Sequence, residues 1–284
     1  MKKNISIIII SCLIIYLLFT HQVQVSSSVI KSSNLFLTKV LPTILPLFII
    51  SKILINYNFP YYIAKIFHNN IYIYVFIISL ISGCPNNAVI IKDLLNKNII
   101  TLEMANKYIT CSFFSNPLFL YSMLTSIFDL KISILIILSH YLSNIIIYLY
   151  QPINNKTALK VPSNPLREVI INAIINASNL LVNIYITIVL FNIIITLLPS
   201  NLLNISGLIE LTQGLNYLKE VPILLNGKIL LALIYISFGG LSIIMQVLNV
   251  LNNTKIEPTL FIKSRFYQII ISIIIFLITS IIFI

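Results

Sequence analysis

Residues 71–87 read IYIYVFIISLISGCPNN and residues 112–119 read SFFSNPLF. Each passes from apolar residues into a Gly/Pro/Asn/Ser break and then back into helix-forming sequence. As a helix rising 1.5 Å per residue, 71–82 extends ~18 Å, well short of the ~30 Å of bilayer hydrocarbon. The run 118–128 after the second break is equally short. In hydrocarbon every backbone N–H and C=O needs an internal partner. A break at membrane depth is therefore tolerated only where protein or a water-filled cavity serves the freed groups. These two stretches predict an all-α polytopic membrane protein with broken or re-entrant helices.

The rest of the chain agrees. Of 284 residues 58% are hydrophobic and 9% charged, with a mean hydropathy of +1.02, against about a quarter charged in soluble domains. A soluble enzyme, a disordered protein and a secreted disulfide scaffold are excluded. A β-barrel is excluded too, because the apolar residues run unbroken instead of alternating. The net charge of +11 is carried by lysines and arginines between apolar runs, such as Lys65, Lys92, Lys97, Lys156, Lys160 and Arg167. That is the positive-inside pattern of a multi-pass protein, with no basic stripe for nucleic acid. Tryptophan is absent, leaving Tyr61, Tyr62, Tyr72, Tyr74, Tyr148 and Tyr150 as interfacial anchors. Cys12, Cys84 and Cys111 form no CxxC pair, and His21, His68 and His140 lie far apart. No metal site or cofactor is called for.

Along the chain, the apolar run 5–19 behind Lys2 and Lys3 fits a cleaved signal peptide, a lipoprotein signal on Cys12 or an uncleaved span. The run continues past Cys12, and the remainder of the chain is itself a membrane protein, so residues 1–26 are expected to be a signal-anchor. Residues 27–40 read as a mildly amphipathic interfacial helix, and 41–57 as a span interrupted by Pro42 and Pro46. Thr101 opens a helix with Glu103 in its first turn. Residues 132–150 form a span containing His140. The stretch 151–165, with three prolines, is a linker. After it, 166–198 is a long span, 229–238 a half-length run broken at Gly239 and Gly240, 241–251 its continuation, and 266–284 a final span. Aligning Gly83 with Gly239 also aligns Leu95 with Leu251, Asn96 with Asn252 and Ile100 with Ile256. We therefore expect two related repeats, 27–150 and 166–284. Paired, interrupted hydrophobic segments in two halves are the best sequence pointer to a transporter site.

Pro85 and Pro117 suit the first position of a helix, where the missing N–H costs nothing. Each following half-helix then directs its partially positive N-terminus inward, beside the neutral donors Asn86, Asn87, Ser115 and Asn116. Such a site favours a small carboxylate. Glu210, in GLIELTQG, reads either as an intramembrane proton or sodium site or as a loop carboxylate in water. His140 is expected to hydrogen-bond across helices.

At these residues the chain resembles a known family. Ser82-Gly83-Cys84-Pro85-Asn86-Asn87-Ala88 followed by Ser115-Asn116-Pro117-Leu118-Phe119 is similar to the nucleoside recognition or Gate domain, and more closely to the sporulation integral membrane proteins of the YlbJ (SpoVV) type. His140-Tyr141-Leu142-Ser143-Asn144, the stretch 207–214, and Gly240-Leu241-Ser242 with Gln246 match further motifs in the same order, so the resemblance spans roughly 41–266. It implies a fold distantly similar to concentrative nucleoside transporters. It also implies a multi-pass protein of the cell membrane or outer forespore membrane of an endospore-forming bacterium, needed for spore maturation. The implied activity is transport without chemistry: dipicolinate, a small planar dicarboxylate, passes from mother cell to forespore. The chain departs from the family at Asn87, where a small residue is usual, and at Phe113, where a polar one is. The expected binding residues are Gly83, Pro85, Asn86, Asn87, Ser115, Asn116, Pro117, Gly240, Ser242 and Gln246, with Glu210 coupling to an ion. The alternatives are a carrier of nucleosides or other small solutes, and a non-transporting sporulation scaffold.

Overall fold

A computed structural model describes residues 2–150 and 162–283. The expected linker therefore lies outside the described residues except for its last four. Every regular element among the described residues is helical. The N-terminal part consists of α1 (Lys2–Thr20), α2 (Gln22–Leu35), a π-helical turn (Phe36–Val40), α3 (Leu41–Asn56) and α4 (Phe59–Ile66). Next come α5 (Tyr72–Ser82), α6 (Asn86–Asn96), α7 (Leu102–Cys111), α8 (Pro117–Leu124) and α9 (Leu130–Leu149). Beyond the linker lie α10 (Leu166–Thr196), a 3₁₀ turn (Ser200–Ile205), α11 (Ser206–Ile209), α12 (Leu211–Glu220), α13 (Leu225–Phe238), α14 (Gly240–Leu251) and α15 (Pro258–Phe283).

Four helices are long and apolar enough to cross a bilayer: α9, α10, α15, and α13–α14 taken together. The number rises to six if two bent pairs each count as one span, 11–20 with 22–40 at 91° and 44–56 with 59–66 at 75°. Large apolar side chains stand exposed along α10 (Ile175, Val182, Ile186, Leu190) and α15 (Ile270, Ile274, Leu277, Ile278). Faces of that kind are stable only against lipid or protein. Polar side chains start two of the helices, at Thr101 as the sequence predicts and at Asp129, which the sequence reading did not single out. Thr101 accepts from the Met104 N–H, and Asp129 from the Ile132 N–H at 2.8 Å, each serving an otherwise unpaired donor.

The order of elements repeats. Each half contains an outer helix (α3, α10), a hairpin with a break at its tip (α5–α6, α11–α12), a broken helix that does not fold back (α7–α8, α13–α14) and a straight span (α9, α15). The packing is reciprocal. α9 lies against α15 and α3 against α10; α14 packs on α6 as α8 packs on α12; α7 touches α15 as α13 touches α9. In this order Gly83 and Gly239 do not fall in corresponding elements, contrary to the sequence alignment. Gly83 caps a hairpin tip, whereas Gly239 lies inside a broken span.

Other expectations change as well. The stretch 27–40 is not a free interfacial helix, because its polar side chains meet α10. Asn192 Nδ2 donates to Ser32 Oγ at 2.6 Å, and Ser33 Oγ pairs with the Tyr185 hydroxyl at 2.9 Å. Tyr72 and Tyr74 are buried instead of interfacial, Tyr72 stacking on Tyr148 with centroids 3.7 Å apart. Pro85 sits one residue before α6, at its cap, whereas Pro117 does open α8.

Candidate functional site

The breaks from both halves meet. Gly83 (φ +74°) lies so close to the second break that a Cβ there would stand 2.9 Å from the Asn116 backbone nitrogen. The contact is reinforced by Cys84 N–H donating to the Phe114 carbonyl (2.8 Å) and Asn116 Nδ2 donating to the Ile81 carbonyl (3.1 Å). In the other half, a Cβ on Gly240 (φ +79°) would lie 3.2 Å from both the Ile209 oxygen and the Leu211 nitrogen. Each hairpin tip therefore rests on the break of its own half, and glycine is required for that approach. The halves are joined at Gly239, where a Cβ would fall 2.3 Å from Phe113 Cζ.

The carbonyls of the 112–116 break are served one by one. Asn87 Nδ2 donates to Ser112 O (3.0 Å), Asn144 Nδ2 to Phe113 O (2.6 Å), Cys84 N–H to Phe114 O and the Tyr141 hydroxyl to Ser115 O (2.9 Å). This is how a non-helical segment survives away from water. At its end Asn116 Oδ1 accepts from the Leu118 and Phe119 N–H groups at 3.0 and 3.1 Å, starting α8.

A cavity of about 110 Å³ lies where these tips converge, enough for several waters or a small solute. One wall carries the polar groups: Ser82, Cys84 and Pro85 from the first hairpin, Ser115 and Asn116 from the second break, Glu210 and Thr212 from the other hairpin, and Ser242 and Gln246 from α14, interspersed with Phe119, Leu211 and Ile243 from the same elements. The facing wall comes from the outer helices, with Leu35, Lys39, Val40, Ile44, Ile184 and Ile188. Gln246 also reaches α10, donating to Thr187 Oγ1 at 2.9 Å. Glu210 is 5% exposed, and its Oε2 accepts from the Gln213 N–H at 2.9 Å, capping α12. The ion pair found among the described residues, Lys52–Asp93, does not involve it.

Of the expected site residues, Pro85, Ser115, Asn116, Glu210, Ser242 and Gln246 line this single cavity. Gly83, Pro117 and Gly240 shape the backbone behind it. Asn86 and Asn87 are fully buried outside the cavity wall. Asn87 serves the break, and the Asn86 carboxamide has no protein partner. The Asn116 amide, expected to point at a ligand, clamps the first hairpin instead. Missed from the sequence were Thr212, Lys39 and the Arg265–Gln268 pair buried behind Ser115, whereas His140 hydrogen-bonds across helices as expected. There His140 Nδ1 meets Gln268 Nε2 at 3.1 Å, and Gln268 Oε1 accepts from Arg265. The sequence pattern puts Arg265 just outside a span starting at 266, but α15 begins at Pro258 and buries it completely. Among the described residues no cluster of His, Cys, Asp and Glu could hold a metal.

No family model, curated protein or solved structure matches the chain.

By its construction the cavity can do two things: its hydroxyls and amides can orient the polar part of a small solute whose remainder meets the apolar lining, and Glu210 offers one carboxylate in its wall.

Proposed function

We propose that this multi-pass membrane protein is a secondary transporter that carries a small carboxylate, with dipicolinate as substrate, and belongs with the YlbJ-type sporulation proteins. The observation that carries the reading is the convergence of two pairs of broken helices, one pair from each half, on one cavity that carries a cluster of polar groups. On this reading α7–α8 crosses as its counterpart α13–α14 does; α3, α7–α8 and α9 then make an odd number of crossings between the start of α3 and the start of α10, so the second half enters from the opposite face. Inverted repeats around a midplane site are the architecture in which one half rocks against the other to alternate access. The helix start at Asn116–Pro117 supplies partial positive charge beside the cavity. The forespore membrane and a role in late spore maturation rest on the motifs at 82–88, 115–119 and 140–144.

Glu210 in the same wall opposes an anion unless its charge is cancelled. Coupling resolves this: a proton or sodium ion bound at Glu210 neutralises the carboxylate while the substrate is present. The same residue favours a second reading, a carrier of nucleosides or other neutral solutes, in which Gln246, Ser242 and Glu210 bond hydroxyls and ring nitrogens. Uptake of labelled dipicolinate and of labelled nucleosides into proteoliposomes separates the two. Dipicolinate uptake driven by an inward proton or sodium gradient supports the first reading. Nucleoside uptake alone overturns it, and uptake of neither leaves a non-transporting scaffold.

A further inference from the structure

The solute cavity has a neighbour on the same helices. A second hollow of about 360 Å³ lies between α3, α6, α10 and α14, and each of these reaches it about one turn beyond its contribution to the first. Along α3 the order is Ile44 in the first cavity, then Phe48 and Lys52 in the second. Along α6 and its cap it is Pro85, then Val89, Lys92 and Asp93; along α14 it is Gln246, then Asn249. α10 runs the other way, from Ile188 and Ile184 back to Asn183, Asn179 and Asn176. An adjoining hollow shares Lys52, Asp93 and Asn176 and continues to Asn56, Lys97 and Asn172. From Ile44 to Asn56 the helix rises ~18 Å, slightly more than half of the ~30 Å of hydrocarbon. The two outer hollows therefore form one crevice leading from the solute cavity to one face of the membrane.

The crevice is lined for an anion in water. Lys52 pairs with Asp93, and Lys92 Nζ donates to the Val250 carbonyl at 2.9 Å. With Lys97, three lysines stand against one carboxylate. On α10, Asn172, Asn176, Asn179 and Asn183 recur every three or four residues and keep one edge of an otherwise apolar span polar. Amides in that position are costly against lipid and are served by water.

Between crevice and cavity stand Phe48, Val89 and Ile184, buried and packed in one cluster with Ile44 and Leu180. The Lys52 ammonium lies 5.3 Å from the Phe48 ring centroid, so the charge of the crevice reaches up to this layer. Apolar constrictions of this kind stop water and ions by dewetting.

We propose that the crevice is the entrance for an organic anion, a hydrated vestibule made anion-selective by Lys52, Lys92 and Lys97 and closed from the solute cavity by the layer of Phe48, Val89 and Ile184. The entrance role rests on the transport reading, whereas hydration, charge preference and closure are measurable without any transport.

The test uses the full-length protein, uniformly oriented in phosphatidylcholine proteoliposomes, with Cys12 and Cys111 replaced by serine. Two membrane-impermeant thiosulfonates, one carrying a sulfonate and one a trimethylammonium group, are applied to the crevice side. With Cys84 also replaced by serine, Asn183→Cys should react with both, and faster with the anionic reagent. Lys92→Gln and Lys97→Gln should each lower the anionic-to-cationic rate ratio roughly threefold. Cys84, beyond the layer, should react slowly, and Phe48→Ala should speed it roughly tenfold or more by opening space in the layer. Val89→Ala, a smaller cut, should act in the same direction and decides the matter if Phe48→Ala does not fold. Asn183→Cys inert to both reagents overturns the hydrated crevice. A rate ratio indifferent to both lysines overturns its selectivity, and an unchanged Cys84 rate in the layer variants overturns the closure. Loss of Asn183→Cys modification by both reagents on adding phosphatidylglycerol makes the crevice a lipid headgroup seat and overturns the entrance. The expected rates without uptake of any solute overturn the transport reading and leave the anion crevice and its apolar layer in place.

Discussion

Replacing Gly239 by alanine tests whether the two halves are locked together where the structure joins them. The new Cβ would lie 2.3 Å from Phe113 Cζ and 3.1 Å from both Cε atoms, with φ at +85°. Ordinary carbon contacts are ~3.5–4.0 Å, so the ring must retreat by more than an ångström. It has nowhere to go, because Phe113 is fully buried with Arg265 over one face and Phe261 beside it. The left-handed backbone costs ~1–2 kcal/mol for a residue with a Cβ, and overpacking adds ~1–3 kcal/mol. The sum is ~2–5 kcal/mol, or a fall in melting temperature of roughly 4–20 °C. The assay is the fraction of detergent-solubilised protein that stays monodisperse after heating. Phe113→Leu removes the ring atoms that the Cβ meets but leaves the backbone term. In that background Gly239→Ala should therefore cost ~1–3 kcal/mol less, a coupling that distant sites do not show. A Gly239→Ala protein that melts within about one degree of wild type refutes the contact. The same loss in both backgrounds refutes its assignment to Phe113.

Three substitutions probe the site itself. Asn87→Ala leaves the buried Ser112 carbonyl without its donor and should destabilise the protein by ~1–3 kcal/mol in the same heating assay, while solute affinity in the surviving protein changes little. Glu210→Gln keeps an oxygen for the Gln213 cap and should fold normally. It should exchange substrate across proteoliposomes but lose gradient-driven accumulation, and full accumulation in that variant would remove the coupling role. Thr187→Val deletes the hydrogen bond from Gln246 to the outer helix α10 and should raise the exchange rate by loosening the cavity wall; an unchanged rate would show that this contact does not hold the wall in place.

Much of this architecture is legible in the sequence, because glycine, proline and asparagine among isoleucines have few other uses at membrane depth. The breaks at 83–87 and 112–117, the cap at Thr101 and the long spans stand where the pattern puts them. The pairing of the repeats is not legible. Gly83 and Gly239 are the same residue in different roles, one in a hairpin tip and one in a broken span, and only the packing of α6 on α14 and α8 on α12 reveals which elements face one another. Ser32 and Ser33 read as interfacial because polarity met by a neighbouring helix looks the same in one dimension as polarity met by headgroups. Asn86 and Asn87 read as ligand donors, yet the turn at Gly83–Pro85 carries them past the cavity toward the 112–116 break. Arg265 reads as an end marker because charges normally flank spans; here the helix starts earlier and encloses it.

Cys84 gives the most direct measurement of the central claim, that the two breaks bound one solute site. It lies in the cavity wall, whereas Cys111 is buried away from it and Cys12 is on α1. With Cys12 and Cys111 replaced by serine, the rate at which a small membrane-permeant thiol reagent modifies Cys84 is followed in proteoliposomes at increasing dipicolinate. The account predicts modification that dipicolinate slows saturably, with protection weakened in Ser242→Ala, which removes a hydroxyl from the cavity wall. Modification at a rate indifferent to dipicolinate and to nucleosides alike would contradict it.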